Sequence, residues 1–140
     1  MPYRLLEHTA DLGVAVRANS LDELLAECVA ALTDCLTRLE RIEETENRSL
    51  ELAAADLEQA LVALLTEVVV LFETEGLVFA AAQVTVESGG EEVRLSADLM
   101  GEPFDLERHG LKTLIKAVTY HGLKIEQVGS GWEAQIVFDI

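Results

Sequence analysis

Two stretches of the chain carry apolar residues at the three- and four-residue spacing of an amphipathic helix. The first covers residues 20–36 and opens with SLDE, the S-x-x-E pattern of a helix N-terminus. The second runs from Asp56 to about Glu75 and is followed by Gly76, a residue typical of the position just after a helix. We therefore expect two long helices.

Alternating apolar and polar residues predict β-strands in much of the remaining chain. The predicted strands cover residues 3–8, 13–18, 47–53, 77–87 and 92–100, with at least two more in LIKAVTYHGLKIEQV and WEAQIVFDI. The sequence HTADLG, residues 8–13, is interpreted as a turn or bulge between the first two strands, and some helical structure is expected near residues 106–112.

The order of these elements favours an α+β fold. Strands that follow one another as hairpins, with only two long helices, predict a two-layer sandwich in which the two main helices pack on a mostly antiparallel sheet. No linker or repeat interrupts the pattern, so we expect a single domain over residues 1–140.

Composition and charge narrow the class of protein and of its partners. Half of the residues are apolar and 26% are charged, as in globular proteins, and no apolar run reaches the ~20 residues of a membrane span. Since no signal-peptide pattern opens the chain, we expect a cytoplasmic protein that does not bind membranes. Ten basic residues against 26 acidic ones give a net charge of −16, with only three lysines. Direct, tight nucleic-acid binding is therefore disfavoured, and a basic protein partner or cations suit this surface better.

The common nucleotide-binding, hydrolase and C-x-x-C motifs do not occur in the sequence. Cys28 and Cys35 lie seven residues apart on the apolar face of the first helix. Their backbones are then ~10 Å apart along the helix, beyond disulfide reach. We interpret both as small core residues rather than as ligands or nucleophiles.

Three carboxylates are not explained by the helix and strand patterns. Asp11 lies in HTADLG, Asp34 lies in the last turns of the first helix, and Asp139 is the penultimate residue in QIVFDI. A structural explanation exists for each: a turn residue beside a glycine, an acid on a wet helix face, and a solvated strand carboxylate. If the three converge, they form the oxygen-rich kind of site that Ca²⁺, Mg²⁺ or Mn²⁺ prefers, but spacing alone does not show convergence.

Four more polar residues are candidates for a supporting role. His8, Tyr120 and His121 offer nitrogen or hydroxyl groups, and Lys116 places a charge inside the apolar run LIKAV. Structural hydrogen bonds are the simpler explanation for the first three. A lysine on an edge strand that prevents aggregation is the simpler explanation for Lys116.

Four segments occur along the chain in a distinctive order: HTADLG, LTDCL at the end of the first helix, KAVTYHGLKIE, and the final VFDI. Together they resemble the archease family over essentially the whole chain. The resemblance implies a sheet covered by helices on one side, in a protein that activates the RtcB class of RNA ligase. Such a ligase joins tRNA halves by passing a guanylyl group from GTP, through a histidine, to an RNA 3′-phosphate that a 5′-hydroxyl then attacks. Archease-like proteins speed the guanylylation and restore the ligase for further turnovers.

The same resemblance implies roles for individual residues. The family's metal-binding acids fall on Asp11, Asp34 and Asp139, and its functional lysine falls on Lys116. We therefore expect a non-enzymatic activator with a divalent metal ion (Ca²⁺, Mg²⁺ or Mn²⁺) as cofactor and the ligase as partner. Two other functions stay open: a metal-dependent phosphohydrolase that uses the same acids, and a chaperone-like modulator of a tRNA-modifying enzyme, which needs no metal.

Overall fold

Six strands and three α-helices form the part of the chain that the structure, a computed structural model, describes, namely residues 11–140. The strands are β1 (Asp11–Ala18), β2 (Glu46–Ala54), β3 (Leu77–Glu87), β4 (Val93–Pro103), β5 (Ala117–Val128) and β6 (Gly131–Asp139). The helices are α1 (Leu21–Leu36), α2 (Leu57–Glu75) and the short α3 (Leu106–His109), with a 3₁₀ turn over Leu39–Arg41. The strand predicted over residues 3–8 lies outside the described residues. None of the helices in residues 11–140 is long and apolar enough to cross a membrane.

Both long helices begin and end at the residues that the sequence predicts. The Ser20 hydroxyl accepts a hydrogen bond from the backbone N–H of Glu23 at 3.2 Å, and the Asp56 carboxylate accepts one from the N–H of Gln59 at 2.8 Å. These side chains satisfy N–H groups that have no partner inside a helix. Gly76 ends α2 with a φ of 65°, a left-handed conformation that glycine adopts without strain.

The strands form two three-stranded antiparallel sheets. One has the order β1-β6-β5 and the other β2-β4-β3; we call them the β6 sheet and the β4 sheet after their central strands. Helix α1 packs against β1, β3 and β6, and α2 packs against β2, β3, β4 and β5, so each helix contacts both sheets. The α+β fold with two main helices on antiparallel strands is confirmed. Its division into two sheets was not predicted, because alternation identifies the buried face of a strand but not its neighbours.

One continuous core of apolar side chains lies between the helices and the sheets. Its largest fully buried members include Leu24, Leu25, Leu32, Leu61, Leu64, Leu65, Phe79, Leu99, Ile136 and Phe138. Cys28 is fully buried in this core, and Cys35 is half-buried against it, which confirms that both are core residues. Burial is the main cause that raises the pKa of the Cys28 thiol to about 12, so this cysteine stays protonated and unreactive at neutral pH.

Candidate metal centre

Asp11 and Asp139, from opposite ends of the sequence, lie directly across from each other in neighbouring strands. Asp11 is the first residue of β1 and pairs with Asp139 of β6 in the antiparallel register. The turn predicted over residues 8–13 is therefore wrong for Asp11 and Leu12, which already belong to β1, whereas Gly13 was also predicted as the first residue of this strand. Gly13 pairs with Val137 and does not have a positive φ, so it supplies no unusual dihedral.

Both carboxylates project from the outer face of the β6 sheet, the face turned away from the core. Asp11 is exposed and Asp139 is half-buried, whereas Phe138, the neighbour of Asp139 in β6, is fully buried. This confirms that Asp139 points away from the main apolar residues of its strand. Ala117 pairs with Asp139 on the other side, and its short side chain leaves the row of acids open.

The carboxylates of Asp11 and Asp139 repel each other, and a bound cation would offset this repulsion. Directly opposed residues of an antiparallel pair have Cβ atoms about 4.5–5.5 Å apart, and like charges in that position are destabilising. Within residues 11–140, no side chain forms an ion pair or hydrogen bond with either carboxylate. Two adjacent carboxylates offer the oxygen donors that hard divalent ions prefer, so these residues fit a bound metal ion.

Asp34 lies in the last turns of α1, as predicted, and contacts a lysine from a distant part of the sequence. The ammonium group of Lys112 lies 3.0 Å from the backbone oxygen of Asp34 and 3.3 Å from its Oδ1. The backbone N–H of Lys112 also donates to the carbonyl of Leu36 at 2.8 Å. An ammonium group is favourable at this negative end of the helix dipole, where a carboxylate alone is not.

A five-residue segment, residues 112–116, connects Asp34 with the paired acids. At one end Lys112 binds Asp34, and at the other the backbone N–H of Lys116 donates to the carbonyl of Asp139 at 2.8 Å. Four Cα–Cα steps of ~3.8 Å separate the two lysines, so their Cα atoms are at most ~15 Å apart. This short segment links the surroundings of Asp34 to those of Asp139, and the side chain of Lys116 at its end is exposed.

The structure does not gather all the predicted site residues into one cluster. Among residues 11–140, no three His, Cys, Asp or Glu side chains are close enough together to hold one metal ion. Tyr120 and His121 are exposed in the irregular stretch of β5 between Thr119 and Lys124, where the register with β6 shifts. His8 lies outside the described residues. A site shared by Asp11, Asp34 and Asp139 stays a prediction.

A buried polar network that the sequence analysis missed lies beside this region. Glu102, at the end of β4, is 4% exposed, and His109 is completely buried. One oxygen of Glu102 accepts hydrogen bonds from the Glu43 N–H at 2.6 Å and from the His109 ring at 2.9 Å, and the other pairs with Arg108 at 2.5 Å. The Nδ1 atom of His109 accepts the N–H of Asp105 at 2.9 Å, so the ring proton resides on Nε2 and is donated to Glu102.

These contacts determine the charge state of Glu102. Burial by itself raises the pKa of this carboxyl, but the hydrogen bonds from Glu43, His109 and Arg108 outweigh burial and hold the pKa below its usual range. The buried group is therefore a carboxylate with donors on both oxygens. Such a group is costly to desolvate unless it is fully hydrogen-bonded, and here it is.

The network anchors the chain just before Lys112. The Thr37 hydroxyl, at the end of α1, donates to the carbonyls of His109, at 3.1 Å, and Gly110. Thr37 also forms a β-bridge with Leu111. Residues 109–111 are thus fixed against the C-terminal end of α1, which places Lys112 next to Asp34.

Comparison with known proteins agrees with this architecture. The model of the "Archease protein family (MTH1598/TM1083)" matches residues 3–140. The protein archease of Pyrococcus abyssi is 39% identical over 135 residues, which cover 96% of this chain and 95% of that protein. The protein archease of Methanopyrus kandleri is 35% identical over 140 residues, which cover 100% of this chain and 100% of that protein.

Two solved structures share the fold. The solution structure of protein 1598 from Methanobacterium thermoautotrophicum superposes with a TM-score of 0.82 at 25% identity, covering 96% of each chain. A crystal structure from Thermotoga maritima, described as an archease and possible chaperone, has a TM-score of 0.59 at 25% identity, covering 99% of this chain and 97% of that one. The class is thus an α+β protein of two antiparallel sheets and two long helices, with paired acids at one end of a sheet. The chain belongs to the archease family.

Proposed function

We propose that this protein is an activator of an RtcB-type RNA ligase and that it acts through a divalent metal ion held by Asp11, Asp139 and Asp34. In this proposal the protein promotes the GTP-dependent guanylylation of the ligase and supports its repeated turnover. The chain belongs to the archease family, and the ligase is the partner that this resemblance implies. The proposal treats the protein as a cofactor of the ligase and not as an enzyme.

The observation that carries the proposal is the pairing of Asp11 with Asp139 in the register of β1 and β6. Two carboxylates from opposite ends of the sequence face each other on an open sheet surface, at a cost in repulsion that an ordinary surface would avoid. Asp34 is connected with this pair by the segment of residues 112–116, whose Lys112 contacts Asp34 and whose Lys116 N–H donates to the Asp139 carbonyl. The pairing of Asp11 with Asp139 favours a metal-binding role for these two acids over two unrelated surface carboxylates.

The charge distribution supports a role through a protein partner. With a net charge of −16, the surface repels an RNA backbone, so the RNA is left to the ligase. A divalent ion at the paired acids neutralises charge and orients phosphate oxygens, which is the main contribution that a protein makes to nucleotidyl transfer. Asp11 and Asp139 hold and orient that ion. The side chain of Lys116 is exposed, and its backbone N–H donates to the Asp139 carbonyl; in this proposal its ammonium group pairs with a phosphate or with a carboxylate of the ligase.

Ligation by the cognate RtcB-type ligase, measured with GTP and metal ions, tests this function. We expect that adding the protein converts a slow, single-round reaction into many turnovers per ligase and speeds the formation of the guanylylated ligase. Unchanged ligation and guanylylation in the presence of the protein would contradict the proposal. If the protein instead protects the ligase or a tRNA-modifying enzyme from aggregation without metal ions, the chaperone-like function is favoured.

A further inference from the structure

Lys112 contacts a predicted metal ligand directly and has no role in the function proposed so far. We propose that Lys112 competes with the divalent ion for Asp34. Its ammonium group occupies Asp34 when no ion is bound, and it leaves Asp34 when an ion binds there. The inference rests on the proposed function, because it takes Asp34 as a metal ligand.

The contacts of Lys112 separate a fixed backbone from a movable side chain. The backbone is held by the hydrogen bond to the Leu36 carbonyl at 2.8 Å and by the β-bridge of the preceding residue, Leu111, with Thr37. The side chain is 46% exposed and reaches Asp34 through its ammonium group alone. The ammonium group can therefore swing into solvent while the segment that leads to Lys116 stays in place.

Electrostatic repulsion opposes the presence of both cations at Asp34. The ammonium group lies 3.3 Å from Oδ1 and 3.0 Å from the backbone oxygen of Asp34, so it occupies the space beside one carboxylate oxygen and the carbonyl. A divalent ion bound to the same carboxylate would lie within a few Å of that positive charge, which Coulomb repulsion opposes. The pair is also weak enough to be displaced, because both side chains are about half exposed and such ion pairs are screened by water.

The competition has a direct consequence for the site. Without metal, the ammonium group of Lys112 offsets the negative charge of Asp34. When an ion binds, part of its binding free energy is used to release the ammonium group. Lys112 thus lowers the apparent affinity of the site for divalent ions.

Calcium titrations of the full-length protein followed by calorimetry test this inference. We expect Lys112→Gln to bind Ca²⁺ about two- to fivefold more tightly than the wild type, the factor that corresponds to about 0.4–1 kcal/mol for an exposed ion pair. Lys112→Arg, which keeps the charge at Asp34, should not tighten binding. Lys124→Gln is the matched control: Lys124 pairs with Gln135 on the same sheet, four residues along β6 from Asp139, or ~13 Å. It should leave the affinity unchanged.

A double substitution tests whether Lys112 acts through Asp34. In the Asp34→Asn background, Lys112→Gln should no longer change the affinity, because the two residues then no longer interact. Two results would overturn the role of Lys112 while leaving the metal site itself intact. One is equal tightening by Lys112→Gln and Lys124→Gln, and the other is Ca²⁺ binding by the wild type whose affinity Lys112→Gln does not change. The absence of Ca²⁺ binding in all variants, wild type included, would overturn the metal site of the proposed function as well.

Discussion

Replacing Asp11 and Asp139 together by asparagine should abolish the stimulation of the ligase while leaving the metal-free protein at least as stable as the wild type. The two carboxylates face each other across β1 and β6, so their neutralisation removes a repulsion instead of a favourable contact. We expect the free energy of unfolding without metal to stay the same or rise by about 0.2–1 kcal/mol. Ligation should fall to the rate of the ligase alone.

Thermal unfolding with and without Ca²⁺ separates this outcome from simple damage to the fold. An ion that binds only the folded protein stabilises it by about 2.7 kcal/mol at 100 times its Kd, and the double variant should lose this stabilisation. Asp98→Asn is a suitable control, since Asp98 is an exposed strand carboxylate of the β4 sheet that accepts a hydrogen bond from Ser49 at 2.5 Å. The Asp98→Asn variant should still stimulate the ligase and should still be stabilised by Ca²⁺. Full stimulation by the double variant would exclude these two acids from the mechanism.

Replacing Glu102 by leucine should lower the free energy of unfolding by about 3 kcal/mol. The substitution leaves the donors of His109, Arg108 and Glu43 without their acceptor in a buried region, and each buried donor left unsatisfied costs about 1–3 kcal/mol. Arg108 is 45% exposed and can turn to water, so the other two groups carry most of the loss. Chemical denaturation of wild type and variant measures the difference. A change below about 1 kcal/mol would show that the network contributes little to stability.

The pH dependence of stability identifies Glu102 as a buried carboxylate. Its pKa is lowered in the folded protein, because the hydrogen bonds outweigh burial, while the unfolded chain has the ordinary value of about 4.3. The unfolded state therefore binds more protons in this range, and the contribution of Glu102 is fully present above about pH 4.3 and is lost as the pH falls through the lower folded-state pKa. Glu102→Gln should flatten this part of the curve, because glutamine does not titrate. An unchanged slope below about pH 4.3 would contradict this assignment.

The sequence predicts the elements of this fold well because its signals are local. The caps at Ser20 and Asp56 and the glycine at position 76 act within a few residues, and the structure confirms all three. The error at HTADLG was avoidable: alternation in fact extends back to Asp11, with Leu12 half-buried and Gly13 exposed. The turn was predicted because the segment contains polar residues and a glycine, although the alternation with period two, which indicates a strand, also covers residues 11–13.

The site was less predictable because its contacts join distant parts of the sequence. Spacing could not show that Asp11 meets Asp139, since strand register is set by the whole sheet; family resemblance supplied that expectation. No local pattern pairs Lys112 with Asp34, which lie 78 residues apart. Glu102 occupies an outward position in the alternation of β4, yet it is buried because residues 38–43 and 104–109 cover that end of the strand.

The central claim is that Asp11 and Asp139 hold one divalent ion, and a crystal structure of the protein grown with Ca²⁺ tests it most directly. Anomalous scattering from calcium locates the ion independently of the protein coordinates. We expect an anomalous peak within about 2.6 Å of a carboxylate oxygen of both Asp11 and Asp139, the upper limit of ordinary calcium–oxygen distances. A peak bound by neither residue, or no peak at this end of the β6 sheet at saturating Ca²⁺, would contradict the claim.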